Sequence, residues 1–148
     1  MKQGSDYLLK VVGTDITKRK KVIFPNDLSS YLVHPDYFPI SKAVVMSATY
    51  PLFYKPMKLG SSIIIDGSLS SSFPIDAFGY YTDLPIIGFN LINNNKDYQH
   101  LNNPYIIRIP TLGVKSMDFS ISNEIKKKLY LSGYNAGRKF LSEFFKWC

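Results

Sequence analysis

Cysteine is almost missing from this sequence. The single one, Cys148, is the last residue, so no intrachain disulfide can form and no cysteine metal cluster can assemble. Histidine is scarce as well: His34 and His100 stand far apart in loop-like stretches without ligand-spaced partners, which argues against a metal site. No run approaches the roughly 20 apolar residues that a membrane-spanning helix needs, and Met1–Asp6 is too short and polar to begin a secretory signal. The expected compartment is therefore cytoplasmic, and no cofactor is expected.

What is present suffices for one ordinary domain. The 148 residues are 45% hydrophobic and 15% aromatic, enough apolar material for a packed core. A net charge of +7 would suit an anionic partner. The cations, however, fall in two short runs with ordinary explanations. Lys18-Arg19-Lys20-Lys21 lies between two apolar stretches, as a solvated hairpin turn would, and Lys126-Lys127-Lys128 lies on the outer face of an expected helix. No nucleic-acid module accompanies them, so nucleic acid is not an expected partner.

Apolar and β-branched residues predict a strand over 7–12, closed by Gly13-Thr14-Asp15, with Lys21–Phe24 as its hairpin partner stopped by Pro25. Asn26 to Pro39 reads as loop or short helical turns. Residues 40–48 predict a short helix with Ile40, Ala43, Val44 and Ser47 on one face, and Pro51 and Pro56 then break regular structure. Ser61–Ile65 is too apolar to alternate and predicts a strand buried on both faces. Ser72-Phe73-Pro74 resembles a helix start. Further strands are expected within Leu84–Leu91 and Tyr105–Ile109, separated by the polar loop Asn93–Asp97. The last helix spans about Ser122 to Phe145, with Ile125, Leu129, Ala136, Phe140 and Phe144 at helical spacing, Ser122 as its cap, and Gly133 and Gly137 permitting close packing. Interleaved strands and helices point to an α/β fold in a single domain over 1–148, with no linker.

Asp66 is the residue that carries chemistry. It follows the apolar run Ile63-Ile64-Ile65 and precedes Gly67 and Ser68, a placement common for catalytic carboxylates of α/β enzymes. Alone, an aspartate before glycine reads as a strand terminator that accepts hydrogen bonds from turn amides. Its flanks alter that reading. Ser47-Ala48-Thr49-Tyr50-Pro51-Leu52-Phe53-Tyr54-Lys55-Pro56 precedes it and Ser72-Phe73-Pro74-Ile75-Asp76-Ala77-Phe78 follows. Together the three stretches resemble the region around the catalytic aspartate of patatin-like lipid acyl hydrolases, where a Ser-x-x-x-Pro-x-Phe-x-x-Pro run leads into a strand ending Asp-Gly.

Leu8–Phe24, Pro85–Phe89 and Met117–Ser122 with Gly133-Tyr134 extend that resemblance over nearly the whole chain, but only over the C-terminal half of the family's domain. It implies the C-terminal part of a three-layer α/β/α fold with a mixed or mainly parallel sheet. It also implies a serine-aspartate dyad acting on lipid carboxylic esters, with Asp66 as the base and Gly67 and Ser68 as its turn. The family's serine sits on Gly-x-Ser-x-Gly, and none of the nine glycines here begins that motif. Gly60-Ser61-Ser62 and Gly67-Ser68-Leu69 lack the closing glycine, and no glycine cluster serves as an oxyanion loop. Ser68 stands where the family has glycine or alanine, Ser72 where asparagine is usual, and Val45 where arginine is common.

The expectation is therefore a chain that holds the base without the nucleophile and is inactive alone. Its expected partners are a lipid ester or a membrane surface, and a complementing N-terminal half or a second copy. A non-catalytic protein that binds through an exposed sheet edge is the rival reading. Asp15 is the competing carboxylate, read as structural; Asp76 and Asp118 read as helix-start or loop acids. Ser47 and Ser68 are serines near the site but on no strand-to-helix elbow. Tyr50–Tyr54, between Lys42 and Lys55, is expected to pack beneath the Asp66 turn as core, with a lipid-facing lip as the alternative. Phe144-Phe145-Lys146-Trp147 is expected to be a packed helix end.

Overall fold

The computed structural model describes residues 2–3, 6–78, 85–93 and 105–145. Leu84, most of the Asn93–Asp97 loop, His100, Lys146, Trp147 and Cys148 lie outside the described residues. The chain forms two compact units, Met1–Thr82 and Asp83–Cys148.

In the first unit, β1 (Lys2–Gln3) pairs with β2 (Asp6–Tyr7) as a short antiparallel ribbon. The main sheet follows: β3 (Val11–Asp15), β4 (Lys20–Phe24), β5 (Met57–Leu59) and β6 (Ser62–Asp66) pair antiparallel in the order β4-β3-β6-β5. The hairpin partner is where the sequence places it. Its mate is displaced, because the strand begins at Val11 and runs through Gly13-Thr14-Asp15 instead of ending there. Gly13 does not turn the chain. Its bare Cα lets Ile64 and Phe24 close over β3, and a Cβ there would lie 3.0 Å from a side-chain carbon of each.

Helix α1 (Ile40–Ser47) lies where its spacing predicts, but its buried face is Ala43 and Met46, with Ile40 and Val44 exposed. Met46 enters the core with Val22, Phe24, Leu28, Tyr31, Leu59 and Ile64, and its flexible side chain fills that space well. Each such burial contributes about 1.5–3 kcal/mol. Past the buried Thr49, the segment after α1 does not join this core. Leu52 is fully exposed and Phe53 and Tyr54 are more than half exposed, which corrects their assignment to the core. The region 26–39 contains two 3-10 turns, Leu28–Tyr31 and Pro35–Tyr37, the second begun by His34, whose Nδ1 accepts from the Asp36 amide at 3.3 Å. Past Pro74 the described chain makes a 3-10 turn, Ile75–Phe78.

The second unit contains β7 (Gly88–Ile92), β8 (Ile106–Pro110) and α2 (Asn123–Phe144). The two strands pair parallel, Phe89 opposite Ile107 and Leu91 opposite Ile109. The class is thus α/β, with antiparallel pairing in one unit and parallel in the other. Helix α2 begins as expected, Ser122 Oγ accepting from the Ile125 amide at 3.3 Å. Its half-buried stripe is Leu129, Ser132, Ala136, Phe140 and Phe144, while Ile125 is exposed. Ser132 donates to the Pro110 carbonyl at 2.8 Å, which ties the helix to β8. Phe144 packs edge-on to Tyr105 with ring centres 6.2 Å apart, whereas Phe145 is exposed. No helix among the described residues is long and apolar enough to cross a membrane.

The glycines of α2 do not act as the sequence suggests. A Cβ on Gly133 would meet Ile109 at an ordinary 3.9 Å, and one on Gly137 would meet nothing within 4 Å among the described residues. Gly137→Ala is therefore expected to stabilise α2 by about 1 kcal/mol, the difference in helix propensity, read as slower amide exchange along the helix.

Candidate active site

Asp66 is the last residue of β6, the strand that lies between β3 and β5. Both sides of its backbone are engaged. Its amide donates to the Thr49 carbonyl at 2.9 Å, and its own carbonyl accepts from Thr14 Oγ1 at 2.7 Å. In the ladder Asp66 stands opposite Gly13, and directly opposed residues share a sheet face. A period of two places it with Ile64, on the face that α1 covers.

The side chain is half-buried and tied at one oxygen. Oδ1 accepts from the Ser68 amide at 2.7 Å, starting the 3-10 turn Gly67–Leu69. Oδ2 accepts no hydrogen bond from the described residues. A carboxylate fixed by one oxygen and open at the other can take a proton from an incoming hydroxyl without moving first. Gly67 makes this turn possible by proximity and not by backbone rotation. A Cβ at that position would sit 2.2 Å from the Val12 carbonyl oxygen, so only glycine lets the turn lie against β3. Ser68 contributes its amide, and its side chain is exposed. Behind the turn, Thr14 Oγ1 lies 2.9 Å from Ser70 Oγ. Among the described residues no serine hydroxyl, Ser47 and Ser68 included, hydrogen-bonds the Asp66 carboxylate.

Asp15 has the opposite environment. It is fully buried, with Oδ1 accepting from the amides of Thr17 and Lys18 at 2.9 Å each and Oδ2 accepting from Tyr31 Oη at 2.9 Å. Burial pushes this carboxyl up. The hydrogen bonds from Lys18, Tyr31 and Thr17 and the nearness of Ser62 outweigh that and hold it below the usual carboxylate range. Ser62 Oγ is close enough to matter electrostatically but falls outside hydrogen-bond geometry. Burial, then the bond to Asp15, raises the Tyr31 hydroxyl. With both oxygens committed, Asp15 is a structural clamp on the β3–β4 turn. Asp76 pairs with Lys21, whose hydrogen bond lowers its carboxyl, and Asp118 accepts from Ser120 in an exposed loop.

An apolar groove of about 670 Å³, lined by residues including Leu8, Leu9, Phe24, Phe38 and Ile40, does not include Asp66. Among the described residues, no three histidine, cysteine or acidic side chains come together to hold a metal.

A family model of patatin-like phospholipases matches residues 3–78, just over half of the chain. The chain belongs to the patatin-like phospholipase family. The match takes in β3, α1, β6 and the Asp66 turn. A protein of Bacillus subtilis (strain 168), the uncharacterized YqhO, is 27% identical over an alignment of 168 positions that takes in 92% of this chain and 58% of that protein. The chain therefore spans less than two thirds of that relative's length.

The sequence did not reveal the supports of the patatin turn. Thr14 and Thr49 hold the Asp66 backbone from segments 52 and 17 positions away along the chain. Thr14 lies in the Gly13-Thr14-Asp15 stretch and Thr49 in the run that precedes Asp66, but nothing in either marks a contact with it. Two outcomes follow from this geometry. Gly67→Ala should destabilise the first unit by about 3 kcal/mol or more, seen as a lower urea midpoint, because backbone on both sides must move. Asp15, whose folded pKa is depressed, contributes stability that is present above its unfolded value of about 3.9 and is lost as pH falls through the lower folded value. Urea midpoints measured from pH 6 to pH 2 should therefore fall at the acid end, and less steeply in Asp15→Asn.

Proposed function

We propose that residues 1–148 are the aspartate-bearing C-terminal part of a single patatin-like domain, and that Asp66 is the base of a serine-aspartate dyad hydrolysing lipid carboxylic esters. The observation that carries this reading is the Asp66 carboxylate itself, held by the Ser68 amide at one oxygen and open at the other on a turn within the family match. The serine and the oxyanion donors come from polypeptide outside these residues, as a complementing N-terminal segment or another subunit. Asp66 accepts the serine proton as Oγ attacks the ester carbonyl, and the tetrahedral intermediate expels the alcohol, which takes that proton. Water then attacks the acyl-serine, giving its proton to Asp66, and the acid departs as the proton returns to Oγ. The reading is of a cytoplasmic protein with peripheral contact to membranes, where the substrate resides.

The rival reading is a non-catalytic binding protein, and one observation favours it. Phe89 and Leu91 of β7 are 64% and 66% exposed beside a parallel pairing that has only two strands among the described residues. Parallel sheets are ordinarily covered on both faces, so this edge suits a partner.

Assay of the purified chain on short-chain nitrophenyl esters separates the two. Alone it should be inactive. Co-expressed with a patatin-family segment bearing Gly-x-Ser-x-Gly, it should gain activity that Asp66→Asn lowers by roughly 10²–10⁴-fold. Activity that survives Asp66→Asn would remove Asp66 from the mechanism, and failure of every complementing segment would favour the binding reading.

A further inference from the structure

The segment that leaves α1 has no place in the core, and its chemistry says what it meets. Leu52, Phe53 and Tyr54 project together, Leu52 with its whole side chain in solvent and its backbone at φ 72°, a left-handed conformation that a bulky residue adopts only when its surroundings enforce it. Here the enforcement is local: the amides of Phe53 and Tyr54 both donate to the Tyr50 carbonyl, at 3.3 and 3.1 Å, and the Tyr50 and Phe53 rings lie 6.0 Å apart. The tip is thus fixed before it meets anything. On the preceding helix Val45 is also more than half exposed.

Charge along this stretch is mostly positive, with Asp36 and Asp66 as the acids at its two ends. From Tyr37 to Ile65 the sequence holds no acidic residue but has Lys42, Lys55 and Lys58, all of them exposed. An apolar tip with an aromatic hydroxyl and exposed lysines before and after it in the chain matches the boundary of a bilayer. The side chains enter the acyl region, Tyr54 stays at headgroup depth, and the lysines meet lipid phosphates. A protein partner would have to supply acids for three lysines as well as a pocket for the tip.

We propose that Leu52–Tyr54, with Lys42 and Lys55, is a docking lip for an anionic membrane surface. The inference rests on the lipid-ester reading for its purpose, since the lip is rooted at Thr49, whose carbonyl accepts from the Asp66 amide at 2.9 Å. Docking the lip therefore brings the Asp66 turn to the interface. It does not need hydrolysis to occur.

The test is co-sedimentation of the full chain with vesicles of phosphatidylglycerol and phosphatidylcholine, alongside vesicles of phosphatidylcholine alone. The chain should partition onto the anionic vesicles and lose binding as salt rises. Leu52→Ser with Phe53→Ser should weaken partitioning on the order of a hundred-fold, and Lys42→Gln or Lys55→Gln roughly five-fold each. These positions are exposed, and unchanged circular dichroism checks that the variants fold. Vesicle binding is read without turnover, so failure of the dyad assay leaves this result standing. Equal partitioning onto neutral vesicles, or unchanged binding by the Leu52/Phe53 double variant, overturns the proposal. So does a chain that ignores vesicles but whose dimer, seen in analytical ultracentrifugation, is broken by the same double variant, since the lip would then face a second copy.

Discussion

Everything around the candidate site depends on how closely β6 and its turn approach β3. At Gly67 the backbone of the turn lies so near the Val12 carbonyl that a single methyl group would overlap it. One register step along, Gly13 leaves room on β3 for Ile64 and Phe24 to meet. Two residues without side chains thus let the turn and the covering side chains lie close against β3, where the end of β6 emerges. Asp66 is aimed by a distance between backbones more than by any side-chain partner.

Much of this was legible in the sequence, though not for the reasons that first present themselves. The runs Lys21–Phe24, Ile63–Ile65 and Ile106–Ile109 identify their strands because apolar and β-branched runs have few other uses at that length. Helix α2 and its start follow from helical spacing and a serine cap. Gly13 misled because a glycine after an apolar run reads as a turn, and only the neighbours brought by β4 and β6 reveal it as a contact point. The face of α1 misled similarly. Ile40 and Val44 are more hydrophobic than Ala43, but the sheet beneath has room for a small residue and one flexible methionine. Strand β5 escaped notice because Pro56 immediately precedes it and its three residues carry no pattern of their own.

The candidate site divides along the same line. Asp66 was visible from its motif, and its turn from the glycine and serine that follow. The distinction between Asp66 and Asp15 came from the family resemblance alone, since both are acids at strand ends, and its physical basis was not visible. They differ in how many of their oxygens are committed. Asp15 has both oxygens filled by a tyrosine and two amides, which makes it a joint of the fold, while Asp66 keeps one in reserve. No count of carboxylates along the chain reveals that asymmetry.

The peptide group on either side of Asp66 is held by Thr49 and by Thr14, from two different segments. A residue pinned in this way has no backbone slack with which to compensate for a change in its own length. Aspartate and glutamate are nearly interchangeable as acids in water. At position 66 they are not, because the longer side chain would overshoot the Ser68 amide and no main-chain adjustment remains to draw it back. The fold therefore selects between two acids by reach, where solution chemistry would scarcely tell them apart.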